Sequence, residues 1–320
     1  MKIVINNIRP HMVMPEIFIE EMKRDYPGDL IVVSENKEEL LAELPDADVL
    51  FGLRFTKDML ESAKQIKWVQ SLSAGVDHMP MAEMENRGIL LTNGRGIHKI
   101  HMTEYAIAAM IMMARNFHVM SRNQIKGRYD RNVSQGQIHG STVGIIGLGS
   151  IGTEIARVSK FLGMNVLTVK SSSGHVPEYV DRSYERKDMV KVFEESDYVI
   201  NLLPSTRSTI NLIDGKYFSA MKDTAVFINM GRGNTVNEDD MIEALRSKSI
   251  KGVVTDVYNN EPLSEDSPLW SLDNIIMTPH ICGENPHYME RAYKIFKENL
   301  RVFATGEGEM VNLVDANKGY

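Results

Sequence analysis

Short apolar runs of four to six residues recur along the chain, separated by stretches in which apolar positions fall every three or four residues. In the first 95 residues the runs are KIVIN, LIVVS, VLFG, KWVQS and ILLTN. A second series begins with TVGIIG at Thr142 and continues through NVLTV, YVINLL, AVFINM, GVVTDV and NIIMTP. Runs this short and this uniformly apolar are strands buried on both faces, so the pattern predicts parallel sheets covered by helices on each side. The helices carry their own signals. In NEDDMIEALRSK, Asn237 can cap, acids fill the first turn, and Arg246 and Lys248 are placed in the last. Between the two series lies one uniformly apolar helix from about His101 to His118. Its run YAIAAMIMMA is about half a membrane span and is flanked by Glu104 and Arg115, which reads as a buried helix.

The fold class is therefore α/β, with two doubly wound parallel-sheet units in series. The break falls around NGRGIHKIH, Asn93 to His101, where glycines separate a strand from the apolar helix. After TPHICGENP come a helix from about Asn285 to Thr305 and a strand-like MVNLVD. Too few residues follow His280 for another strand–helix repeat, so the terminal helix is expected to cross back to the first unit and make an interdomain cleft with its hinges.

In the second series, VGIIGLGSIG joins a buried strand to a helix through Gly147, Gly149, Ser150, Ile151 and Gly152. A lone GxGxxG pattern says little. Here a strand precedes it, the amphipathic EIARVSKFLG follows, and a second strand comes where a βαβ unit needs one. The first glycine permits the tight turn, the second lets backbone approach a pyrophosphate, and the third lets helix and strand pack closely. The helix N-terminus adds donors for the phosphates. A dinucleotide site is the reading. About 20 residues on, where an acid would bind a ribose 2′-hydroxyl, stand Lys170 and Ser171 to Ser173, with no acidic residue between Glu154 and Glu178. An ammonium and hydroxyls receive a 2′-phosphate that a carboxylate would repel, so NADP(H) is expected, with NAD(H) the alternative.

Composition narrows the function classes. The 320 residues carry a net charge of −7, which gives no footprint for nucleic acid or an anionic membrane. A single cysteine, Cys282, leaves no intramolecular disulfide or cysteine metal cluster and suits a reducing, cytoplasmic setting. No histidine spacing suggests a metal site. Three strand ends in the second series carry polar chemistry: Arg232 in INMGRGNTV, Asp256 and Glu261 in TDVYNNEPL, and His280 before Gly283 in TPHICG. Ligands bind outside the carboxyl ends of parallel strands, so a cation, carboxylates and an imidazole are expected along one rim, facing a nicotinamide. Each has a bland alternative, since an Arg in a glycine loop can cap a helix, a Glu before Pro can anchor a turn, and a lone His is often structural.

These motifs, together with SLSAGVDHM, TNGRGIHKIHMTEYAIAAMIMMAR, NLLPSTRSTINLI and MKDTAVFINMGRG, resemble in order and spacing the D-isomer-specific 2-hydroxyacid dehydrogenase family. The resemblance spans nearly the whole chain. It implies a flavodoxin-like substrate domain made of residues 1–100 plus 282–320 and an inserted Rossmann coenzyme domain over 101–281. It implies reduction of a 2-keto acid to a D-2-hydroxy acid by hydride from a nicotinamide coenzyme. It assigns His280 as general acid/base, Glu261 as its partner and Arg232 as the substrate clamp. Ala74, Gly75 and Val76 would offer N–H groups to the substrate carboxylate, and Arg54 would lie near the substrate. Leu203, Pro204 and Thr209 would border the adenosine, and Met230 and Gly231 the nicotinamide ribose. Asp256 would bond the carboxamide, with His280 and Gly283 also beside the coenzyme. The helix over 102–115 matches the family's dimer helix, which implies a homodimer. A carboxylate rather than a glutamine beside the histidine argues against a formate dehydrogenase of this fold. Some relatives are dinucleotide-sensing corepressors without significant turnover, and that binding function is the alternative to an enzyme.

Overall fold

The computed structural model describes residues 1–7, 12–76, 78–170 and 176–315. The chain folds as two compact units, Met1–His98 with Asn285–Tyr320, and Lys99–Glu284. The breaks fall at His98/Lys99 and at Glu284/Asn285.

The first unit holds five parallel strands: β1 Lys2–Asn6, β2 Leu30–Ser34, β3 Val49–Gly52, β4 Trp68–Ser71 and β5 Leu90–Thr92, in the order β2-β1-β3-β4-β5. Its helices are α1 Glu16–Asp25, α2 Lys37–Glu43, α3 Lys57–Ser62, α4 Met81–Asn86 and the C-terminal helix described below. Alternate residues of each strand face opposite layers. Ile3 and Ile5 of β1 join Ile19, Met22 and Phe296 on one face, while Val4 joins Leu40, Leu60 and Met84 on the other.

The second unit begins with α5 Lys99–Ala114 and α6 Phe117–Ile125. Seven parallel strands follow: β6 Thr142–Ile146, β7 Asn165–Lys170, β8 Arg182–Glu185, β9 Tyr198–Asn201, β10 Val226–Asn229, β11 Gly252–Thr255 and β12 Ile275–Met277. Their order is β12-β11-β10-β9-β6-β7-β8. The helices between them are α7 Ser150–Phe161, α8 Met189–Glu195, α9 Gly215–Ala220 and α10 Glu238–Arg246. On one face α8, α9 and α10 bury Phe193, Phe218 and Leu245 against Val199, Phe227 and Val253. On the other, α5 and α7 bury Ala106, Met110 and Ile155 against Ile145, Ile200 and Ile228. Asn237 caps α10 by accepting from the Asp240 N–H, with acids in the first turn and Arg246 in the last.

The last helix is α11 Tyr288–Thr305, which belongs to the first unit. Phe296 sits 4.6 Å from Phe51 and 5.3 Å from Trp68, ring centre to ring centre. Asn299 Nδ2 donates to Gln70 Oε1 at 2.9 Å. The cause of this packing is the apolar face that β1, β3 and β4 leave for α11.

Four expectations change. The apolar helix is not continuous to His118: Asn116 at φ 51° separates α5 from α6. Lys248 lies past the end of α10, itself left-handed at φ 57°. The strand-like C-terminal run forms only a single antiparallel bridge, Leu313 to Thr92. And β8, RSYE, has no buried residue, so its sequence carries no strand signal; it is recruited as an edge by pairing with β7. Among the described residues no helix is long and apolar enough to cross a membrane, and no group of three or more His, Cys, Asp or Glu is placed to hold a metal.

His118 on α6 gives one stability expectation. Burial, then the nearby Arg122 and Lys251 charges, lower its pKa to about 4, against a pull upward from Asp273. A histidine that resists protonation only when folded destabilises the fold as pH falls from about 6.5 toward 4, because the unfolded chain takes up the proton first. His118→Gln should therefore lose less melting temperature than wild type between pH 7 and 4.5. Equal losses in the two proteins would refute this.

Candidate active site

The strands β12, β11 and β10 are parallel neighbours, so the loops leaving their carboxyl ends share one rim of the second sheet. Arg232, Asp256, Glu261 and His280 each stand on one of these loops.

After β10, the loop carrying Arg232 rests on a buried amide network. Asn201 Nδ2, at the end of β9, donates to Asn229 Oδ1 at 2.9 Å and to Thr235 Oγ1 at 2.8 Å. Asn229 Oδ1 also accepts the Gly231 N–H, and the Thr235 hydroxyl donates to the Arg232 carbonyl at 2.7 Å. A buried hydrogen-bond network of this kind rigidifies what it supports. Arg232 itself is half-buried and its Nη1 donates to the Gly231 carbonyl at 3.0 Å. At Gly233 the backbone passes so close to the Tyr258 carbonyl that any β-carbon would overlap it. Glycine is what lets the Arg232 loop and the Tyr258–Glu261 loop touch.

Glu261 bridges the next two loops. Its Oε1 accepts the Tyr258 N–H at 3.0 Å, and its Oε2 lies 2.6 Å from His280 Nδ1. With Nδ1 turned to the carboxylate, Nε2 is the nitrogen left to face a ligand. Both side chains are partly exposed, 46% for His280 and 35% for Glu261, so a small molecule can reach them.

His280 has a left-handed backbone at φ 57°, an uncommon state for a residue with a β-carbon and one that surrounding structure must enforce. Asp256 does the enforcing. Fully buried, it accepts the Ile281 N–H at Oδ1 and the Cys282 N–H at Oδ2, both at 3.0 Å. The Thr278 hydroxyl donates to Oδ1 at 2.5 Å and stands 2.6 Å from the Tyr105 hydroxyl of α5. Tyr258 Oη donates to the Thr278 carbonyl at 2.9 Å. Burial, with Asp256 nearby, pushes the Tyr258 phenol up to about 12, so it stays a neutral donor. Burial and the same carboxylate push the Cys282 thiol up, which makes it packing rather than a nucleophile.

The glycine turn sits at the end of β6. Gly147 has φ +110°, and α7 starts at Ser150, so Ser150 and Ile151 lie at its N-terminus. A β-carbon on Gly149 would meet nothing within 4 Å, whereas one on Gly152 would overlap the Gly147 carbonyl. One glycine thus leaves open space at the helix end and another packs helix on strand.

In the first unit, the loop Ser73–Val76 leaves β4 with its carbonyls tied back. The Leu72 carbonyl accepts from Tyr288 Oη at 2.7 Å, that of Ser73 from the Gly94 N–H at 3.0 Å, and that of Ala74 from Asn93 Nδ2 at 2.9 Å. Arg54 follows β3 and is exposed.

Residues 107–282 match the family described as "D-isomer specific 2-hydroxyacid dehydrogenase, NAD binding domain". The chain belongs to the D-isomer specific 2-hydroxyacid dehydrogenase family. It is 30% identical over 318 residues to a glyoxylate reductase of Pyrococcus horikoshii, covering 92% of this chain and 91% of that protein. It is 30% identical over 278 residues to the D-3-phosphoglycerate dehydrogenase of Methanocaldococcus jannaschii, covering 85% of this chain but 52% of that protein. The chain thus spans about half the length of that relative. Among solved structures it resembles an NADPH-dependent glyoxylate/hydroxypyruvate reductase of Sinorhizobium meliloti in complex with NADP and sulfate, at TM-score 0.83 and 25% identity over all of both chains.

The family's coenzyme is a nicotinamide dinucleotide, and the glycine turn has the shape for one: open backbone at Gly149 in front of a helix N-terminus. The remaining positions that the resemblance assigns differ in what they have to offer. Leu203 is half-buried and Pro204 exposed beside the turn that follows β9. Thr209 is buried, and its hydroxyl donates to the Pro204 carbonyl at 2.7 Å, so it shapes that turn. Met230 is buried in the core, which leaves its backbone and that of Gly231 on the rim. Gly283 follows Cys282 in a turn. Lys170 closes β7, and Ser171 lies outside the described residues. The resemblance gives Asp256 to the carboxamide, and the structure adds a task the sequence does not announce, that of holding the His280 loop. Asn201, Asn229, Thr235, Thr278 and Tyr105 were not anticipated. The one available signal was an asparagine closing each of two apolar strands, VIN and FIN.

Proposed function

We propose that this chain reduces a small 2-keto acid to the D-2-hydroxy acid with a nicotinamide coenzyme. The observation that carries the reading is the 2.6 Å His280–Glu261 pair standing on the same strand rim as the Arg232 loop. The bound nicotinamide supplies the hydride. As the carbonyl carbon accepts it, negative charge grows on the carbonyl oxygen. Protonated His280 donates from Nε2 to that oxygen, and Glu261 at Nδ1 orients the ring and offsets its charge. Arg232 holds the carboxylate and polarises the oxygen, on a loop that the Asn201–Asn229–Thr235 network keeps from moving. In the first unit, Ala74, Gly75 and Val76 are the proposed N–H donors to the carboxylate. The Ser73, Ala74 and Val76 carbonyls are already engaged, which favours donors turned outward. The D configuration follows from the family resemblance.

Lys170 and the acid-free stretch after it support NADP(H), with Gly147 to Gly152 on the pyrophosphate. The single cysteine suits a cytoplasmic setting. Exposed Ile111 on α5 and Phe117 on α6 suit a homodimer across that face.

The test is NADPH oxidation by the purified chain with glyoxylate, hydroxypyruvate and longer keto acids. A chain that binds NADPH without oxidising it for any of them would be a binding protein. Lys170→Asp should move the preference toward NADH, read as the ratio of kcat/KM values. An unchanged NADPH affinity in that variant would make the lysine a bystander.

A further inference from the structure

A chain of hydrogen bonds runs from α5 to the His280 loop, and its first member, Tyr105, has no part in the proposed chemistry. Tyr105 lies two turns into α5. Its ring packs on the core layer that also holds Met102 and Cys282, and its hydroxyl stands 2.6 Å from Thr278 Oγ1. Thr278 follows β12 and precedes His280 by two residues. Its hydroxyl is 2.5 Å from Asp256 Oδ1, and the same carboxylate holds the Ile281 and Cys282 N–H groups at 3.0 Å. Asp256 thus grips the chain on both sides of His280.

Counting protons fixes the direction of the bonds. A carboxylate only accepts, so the one hydroxyl proton of Thr278 goes to Asp256. The Thr278 oxygen is then an acceptor toward α5, and the Tyr105 proton points at it. Burial holds the Tyr105 phenol well above its ordinary pKa, against a downward pull from the Thr278 bond, so that proton stays in place. The Thr278 main chain is fixed independently. Its N–H donates to the Thr255 carbonyl at 3.0 Å, and its carbonyl accepts from Tyr258 Oη at 2.9 Å. What Tyr105 adds is the aim of the hydroxyl. Bonds in series polarise one another, so a Thr278 oxygen that accepts from Tyr105 is a better donor to Asp256. Resting on the reading of His280 as proton donor, we propose that Tyr105 is a positioning residue of the reaction. Acting through Thr278 and Asp256, it keeps the His280 loop in the left-handed turn that sets the imidazole against Glu261.

The test is a double-mutant cycle in the full chain, assayed with NADPH and whichever keto acid it reduces best. Tyr105→Phe keeps the ring and removes only the hydroxyl. It should lower kcat about five- to tenfold, the equivalent of one neutral hydrogen bond, while the KM for the keto acid and the affinity for NADPH stay close to wild type. Thr278→Ser keeps a hydroxyl and should stay close to wild type. Thr278→Val should lose kcat, and adding Tyr105→Phe to it should bring no further loss, because the phenol acts only through that hydroxyl. Multiplying losses in the double variant would overturn the proposal. So would a Tyr105→Phe enzyme that melts lower but keeps the wild-type kcat, since the phenol would then be packing alone. Amide hydrogen exchange gives a second reading that needs no turnover. In Tyr105→Phe the peptide bearing Ile281 and Cys282 should exchange faster, while β11 and the rest of α5 exchange as in wild type. Unchanged exchange at Ile281 and Cys282 refutes the clamp. If the wild-type chain reduces no keto acid, the failure belongs to the proposed reaction, and hydrogen exchange decides whether Tyr105 holds the loop.

Discussion

His280→Ala should lower kcat by at least about a hundredfold, within the ~10²–10⁴-fold range of a positioned general acid. Coenzyme binding, followed by quenching of protein fluorescence, should stay close to wild type. The expectation rests on the geometry: Glu261 occupies Nδ1 at 2.6 Å, which leaves Nε2 as the proton donor, while the other imidazole of that loop, His287, pairs with Glu290 of α11 at 3.5 Å. Glu261→Gln should give a smaller loss, because an amide can still orient the ring but brings no charge to offset the imidazolium. Turnover that survives His280→Ala would remove the acid/base assignment and with it the proposed chemistry.

The second large effect is expected at a residue that donates no proton. Asp256→Asn keeps the shape of the side chain but sets an amide N–H2 against donors that now share a carboxylate. The Ile281 and Cys282 N–H groups and the Thr278 hydroxyl all bond to that carboxylate, and all are shielded with it. A hydrogen bond to a charged group contributes about 1.5–3 kcal/mol, so losing the equivalent of one or two should lower unfolding stability by roughly 3 kcal/mol. His280 would then lose what enforces its left-handed backbone, and kcat should fall more than about tenfold, a barrier increase of ~1.4 kcal/mol. Urea denaturation and turnover are measured on the same preparation. A variant that loses stability but keeps kcat would show that Asp256 supports the fold without positioning the histidine.

Much of the architecture was legible because burial on both faces leaves an unmistakable mark. Strands such as VLFG and VFIN are apolar at every position or nearly so, and in the structure all four residues of each are buried. The edge strand β8 escaped notice for the converse reason: nothing in RSYE is buried, so its backbone pairing has no counterpart in side-chain chemistry. The apolar helix was overextended because Asn116 reads as a neutral residue until its φ of 51° is seen. The site was legible to the same degree. Gly147, Gly149 and Gly152 announce a turn, and Arg232, Glu261 and His280 stand out as reactive groups after apolar strands. The supporting residues did not stand out, since an asparagine or threonine at a strand end looks like any solvated turn.

From composition and periodicity alone the chain already had to be two parallel α/β units, because only helices on both sides can satisfy runs that are apolar on every face. The order of its motifs also placed the reactive groups on strand ends. What only the folded chain decided was which of those groups meet. The 2.6 Å pairing of Glu261 with His280, the seating of the Arg232 loop on Asn201 and Asn229, and the clamp of Asp256 on the His280 loop all join residues far apart in sequence. Hydrogen bonds depend on distances of tenths of an ångström and on direction. Strand register sets those quantities, and no local pattern of residues encodes them.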